Sequence, residues 1–139
     1  MKRIFYFLSA IAALALSACG SNEVDIHMVD RETKAWESAA VESMDAPALL
    51  DHLELLGREM TQATETGQFA EMHHLEIALT KALTALEDNA SGDAKATIDT
   101  LKIIATKIHM AGHDQNQVMA GKLDQTLDEL IARLRSQIQ

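Results

Sequence analysis

The stretch KIHMAGHD, residues 107–114, holds two histidines four positions apart, His109 and His113, in a chain with six histidines in all. On a helix this spacing puts both imidazoles on one face a turn apart, where such a pair can chelate zinc, nickel or copper. Alone it is a weak motif, because a histidine near a helix C-terminus also suits the helix dipole as a cation. Other groups with donor chemistry are His73 and His74, between Glu71 and Glu76, and seven methionines. Thioether sulfur is soft and selects Cu(I) over Zn²⁺ or Mg²⁺. Which of these atoms meet depends on the elements that carry them.

Those elements read as helices. Asp45-Ala46-Pro47 is a helix start, with proline in the first turn where its missing N–H costs nothing. Leu49, Leu53, Leu56, Met60 and Ala63 follow at spacings of four and three, up to a break at Gly67. A second stripe runs Met72, Leu75, Leu79, Ala82, Leu86, and a third Ala94, Ile98, Leu101, Ala105, Ile108. Turn residues 89–93 separate them, and 112–116 break the pattern again. The last stripe is Met119, Leu123, Leu127, Leu130, Leu134, Ile138. Four amphipathic stripes joined by short breaks predict an all-α, up-down-up-down four-helix bundle over residues 46–137. Residues 30–44, around Trp36, read as a short extra N-terminal helix. Leu50, Leu55, Ile77 and Ile103 fall off the stripes, so the Trp36 helix or a second protomer is expected to cover them.

Antiparallel threading brings the Gly67 and His113 breaks to one end. Met60, Met72, His109 and Met119 each lie about five to seven residues from a turn, hence about 8–10 Å inside that end. The three methionines fall within their stripes and His109 at the edge of its own. The expectation is an inner Met60–Met72–His109–Met119 layer suited to copper as Cu(I), with His113 on the flank and His73, pointing mostly outward, controlling access. Each methionine taken singly is also an ordinary filler of an irregular core. Haem is a rival occupant: the layout resembles cytochromes of the b562 type, and His109 with Met60, Met72 or Met119 would supply axial ligands. Leu and Ile in the layers below leave little room for it.

The first twenty residues, MKRIFYFLSAIAALALSACG, stand apart from the fold. A basic pair, Lys2 and Arg3, precedes a short apolar run and then small residues ending in Leu16-Ser17-Ala18-Cys19. This resembles the lipobox of bacterial lipoprotein precursors. The resemblance implies a signal peptide at 1–18, cleavage before Cys19 and lipid on that sulfur, and the polar residues 19–29 read as a flexible tether. It further implies an envelope location facing the periplasm, with Gly20 after the cysteine pointing to the outer membrane. Cys19 is the only cysteine, which excludes an intrachain disulfide, a Cys-rich metal site and a CxxCH haem attachment.

Removing residues 1–18 takes away Lys2 and Arg3 and moves the net charge from −9 to −11. Nucleic acid is not an expected partner, since its phosphates need a basic face. Asp51, Glu54, Glu59, Glu87, Asp99, Asp124 and Asp128 read as solvated outer faces. No nucleophile–base pattern, P-loop or zinc-protease motif occurs, so catalysis is not expected.

EMHHLEIALTKAL, Glu71 to Leu83, is similar to the second-helix motif of a family of small periplasmic helical proteins of unknown function. His73, Leu75, Leu79, Ala82 and Leu83 match, Ile77 stands in place of an aromatic, and KIHMAG aligns His109 with a second histidine of that family. The resemblance implies no activity. The sequence thus leads to a lipid-anchored bundle binding a soft transition metal for buffering, sensing or transfer. The alternative is a non-enzymatic module docking an envelope partner, or a second copy, through Leu50, Leu55, Ile77 and Ile103.

Overall fold

The computed structural model describes residues 31–88 and 90–138. The expected signal peptide at 1–18, Cys19, the expected tether at 19–29 and Asp30 lie outside the described residues. Four helices follow in order: α1 Ala46–Thr66, α2 Phe69–Glu87, α3 Gly92–His113 and α4 Gln117–Ile138. α1 packs on α2 and α4, and α3 packs on the same two, closing an antiparallel four-helix bundle.

Local chemistry sets the boundaries. The Asp45 carboxylate accepts the Ala48 N–H at 2.9 Å and caps α1, with Pro47 in the first turn. Gly67 ends α1 in the left-handed region at φ 67°, where a side chain would be strained. The Asn116 side chain accepts the Met119 N–H at 3.0 Å and starts α4. No helix among the described residues is long and apolar enough to cross a membrane.

All five stripe residues expected in each of α1, α2 and α3 are buried. A fully buried leucine contributes about 1.5–3 kcal/mol relative to an exposed one, so these aligned faces define the helix order. α4 differs. Its buried face runs Ala120, Asp124, Leu127, Ile131 and Leu134, with Leu130 beside it. The interval is a regular four-three-four-three, but it contains a small residue and an acid. Reading Met119 and Leu123 in place of their neighbours Ala120 and Asp124 rotates the face by about 100° at this end of the helix.

The N-terminal segment is not an α-helix but two 3₁₀ turns, Ala35–Ser38 and Val41–Ser43, laid along α2 as a strap. Trp36 and Val41 anchor it in the core. The Glu37 carboxylate accepts the Lys34 N–H at 2.6 Å, which tightens the first turn. The strap therefore covers α2, not a four-residue apolar patch. Leu50 belongs to the core, Leu55 packs against it, and Ile77 and Ile103 remain about half exposed.

Candidate metal centre

The α2–α3 seam is polar along its length. His73 lies opposite His109, Glu76 opposite Thr106, and Glu87 opposite Lys95. Three residues forward on α2 match three back on α3, the register of an antiparallel pair joined between Glu87 and Gly92. Glu87 also meets Lys102 at 2.6 Å, and the two lysines hold its carboxyl below the usual range.

At the end of this seam, side chains converge. His73 Nδ1 and His109 Nε2 stand 3.2 Å apart, and Glu76 Oε2 lies 3.6 Å from His109 Nδ1. One donor atom from each of His73, Glu76 and His109 falls within 4.8 Å of the others. Two imidazole nitrogens bound to one tetrahedral ion at 2.0–2.1 Å stand about 3.3–3.4 Å apart, so the histidine pair is near a chelating separation. His113 stacks on His109 with ring centroids 4.7 Å apart and planes tilted by 31°.

The carboxylate is oriented. Glu76 Oε1 lies 3.4 Å from the hydroxyls of both Thr80 and Thr106, the second of which also donates to the Lys102 carbonyl at 3.1 Å, and Oε2 faces His109. Such outer contacts fix the orientation and basicity of metal ligands. The side chains of His109 and Glu76 are 17% and 18% exposed, so the cluster lies at the edge of solvent. Glu76 also borders a groove of about 530 Å³ that runs between the strap and α2 past Val41, Ile77, Thr80 and Lys81.

On the strap side, His74 makes an edge-to-face contact with His73 at 5.2 Å, and its Nδ1 lies 3.7 Å from Glu37 Oε2. Arg31 binds Glu37 at 2.7 Å and Glu71 at 3.2 Å. Partial burial works to raise the Glu37 carboxyl. The Arg31 hydrogen bond, the Lys34 N–H and the charges of Arg31 and His74 outweigh it and hold the group below its ordinary value.

The methionine layer does not assemble. Met60 and Met72 are fully buried core residues, as their stripes predict. Met119 is 48% exposed, because the rotated face of α4 places Ala120 inward instead. His109 turns to His73 and Glu76 at the seam rather than into the bundle. The same geometry separates His109 from Met119 as a haem ligand pair. Of the sequence-derived residues, His73, His109 and His113 come together, and His73 is a member of the cluster rather than an outward gatekeeper. Glu76 was missed. Its signal is His73-x-x-Glu76, one face of a helix, set as far from the 89–93 turn as His109 lies beyond it.

A second departure concerns Asp124. Expected on an outer face, it is buried at 5% exposure between α4 and α1. Its Oδ2 lies 3.4 Å from the Thr64 hydroxyl, while Oδ1 is buried with no hydrogen-bond partner among the described residues. Burial, aided by the charges of Asp128 and Glu65 and opposed by hydrogen bonds from Thr61 and Thr64, pushes its pKa up to about 6.

Comparison with protein-family models, curated proteins and solved structures finds no match to this chain.

Proposed function

We propose that this is a lipid-anchored envelope protein whose bundle binds a borderline divalent transition metal at His73, Glu76 and His109, with His113 at the rim. The observation that carries the reading is the 3.2 Å approach of His73 Nδ1 to His109 Nε2 beside a carboxylate held by two threonines. Two imidazoles and a carboxylate suit Zn²⁺, Ni²⁺ and Cu²⁺ rather than Cu(I) or Mg²⁺. Within that group the Irving–Williams order makes copper, now as Cu²⁺, the tightest. Partial exposure and three protein donors favour exchange, hence buffering or transfer over permanent structural binding. The lipobox at Leu16–Cys19 supports the anchor and the envelope setting.

The test is competition titration of the mature chain with Zn²⁺ and Cu²⁺ against a chromophoric chelator. A single ion per chain is expected, released by His73→Ala and by His109→Ala with the helical circular dichroism intact. Unchanged affinity in His109→Ala would reject the site.

A further inference from the structure

The strap gives the bundle a polarity. Arg31 is held against Glu71, in the first turn of α2, so the chain arrives at the end that carries the Gly67 turn and the α3–α4 turn. From there it runs along α2 to Asp45 at the opposite end. Cys19 precedes Arg31 by twelve residues. A chain of that length reaches about 40 Å at most, while the 22-residue helices are about 33 Å long. That reach exceeds the helix length, so a lipid on Cys19 keeps the Arg31 end within about 40 Å of the bilayer and leaves the surface of the bundle to decide which end meets it.

The Arg31 end carries most of the exposed large apolar side chains. Five large apolar side chains are exposed among the described residues, and three of them, Met110, Val118 and Met119, sit at the α3–α4 tip. Val118 is 70% exposed, in the first turn of α4, where Cα–Cβ bonds lean toward the helix N-terminus and so toward the tip. Met110, Met119 and Leu123 line one depression of about 350 Å³. The charge also changes here. Residues 107–122 contain Lys107, Asp114 and Lys122, a net +1, in a chain of −9.

We infer that the α3–α4 tip is a lipid-facing surface. Met110, Val118 and Met119 enter the boundary between headgroups and acyl chains of the bilayer that holds the N-terminal lipid, and Lys107 and Lys122 meet the phosphates. Apolar side chains beside cations are the composition of interfacial binding, and a protein contact added to a lipid strengthens and orients the attachment. The inference rests on the reading of Cys19 as lipidated, not on the metal site.

The experiment couples the mature chain through Cys19 to a maleimide phospholipid in vesicles of phosphatidylethanolamine and phosphatidylglycerol. Tryptophan is introduced as Val118→Trp or, at an exposed position toward the far end of α4, Ala132→Trp; buried Trp36 is a constant background. The Val118→Trp emission should shift to the blue and be lost to brominated lipid, and the Ala132→Trp emission should do neither. Equal behaviour of the two variants overturns the inference. So does a blue shift of the same size without vesicles as protein concentration rises, which would make the tip a contact between copies. Because coupling is imposed chemically, the tip result is independent of native lipidation. The mass of the N-terminal peptide from native membranes tests the anchor separately.

Discussion

His73 on α2 and His109 on α3 face each other with Nδ1 and Nε2 3.2 Å apart. Between two neutral imidazoles that separation is a single N–H···N hydrogen bond, so one proton occupies the space where a bound ion would sit. Metal binding displaces it, and affinity accordingly rises with pH. Glu76 Oε2 lies beside the other nitrogen of the same ring, His109 Nδ1, at 3.6 Å, so the metal-free cluster already has polar contacts of its own.

Glu76 depends on its two threonines, which gives a first prediction. The double variant Thr80→Val, Thr106→Val removes both hydroxyls from Oε1 and leaves the carboxylate free to turn to solvent. Metal affinity should fall by about 10-fold, the usual scale for lost outer contacts. Competition titration measures it. An unchanged constant would place Glu76 outside the coordination sphere.

The methionines supply a second prediction. Met60→Leu keeps core volume and should cost less than about 1.5 kcal/mol in urea denaturation. Met119→Leu, at an exposed site, should change stability by no more than about 0.5 kcal/mol. Both variants should bind Zn²⁺ and Cu²⁺ as the parent chain does. Weaker binding in either would mean that thioether sulfur holds the ion after all.

The bundle itself was legible because three of its stripes consist of apolar residues, large ones with alanines among them, at unbroken three-and-four spacing. α4 was misread where its inward face uses Ala120 and Asp124, residues whose types do not announce burial. That single rotation carried Met119 into an imagined metal layer. The real cluster was half legible: His73, His109 and His113 were singled out, but depth from a turn was used without hairpin register. Register pairs His73 with His109 and brings Glu76 alongside. The strap was the least legible part, since 3₁₀ turns have little periodic signature and are held here by one tryptophan and an arginine clamp.

That clamp can be tested in turn. Arg31→Ala leaves Glu71, 7% exposed, without its cation and removes the hydrogen bonds to Glu37. Loss of a buried charge-assisted contact costs about 1–3 kcal/mol. The strap packs chiefly on α2, so the loss should be local. Hydrogen exchange should quicken in residues 35–44 and leave α3 and α4 unchanged. Uniform quickening would mean that the strap is integral to global folding.

Asp124 gives the last prediction, and its sign follows from linkage. Its folded pKa of about 6 lies above the ordinary 3.8, so the fold favours the neutral acid. The group costs nothing below pH 3.8; its penalty grows as pH rises from there to about 6, and is constant above. Asp124→Asn removes the charge and keeps the shape. At pH 7 it should stabilise the bundle by about 2 kcal/mol, an advantage that shrinks toward nothing near pH 4. His52 works in the opposite direction. Burial lowers its pKa below 6.5, so its contribution is complete above that pH and is lost as pH falls through the lowered value. The parent chain's own pH profile mixes the two, but the difference between parent and variant isolates Asp124. Urea denaturation of both across this range measures it. A variant less stable than the parent at pH 7 would show that the carboxylate makes a favourable charged contact in the fold, and its burial between α4 and α1 would then need a cation to explain it.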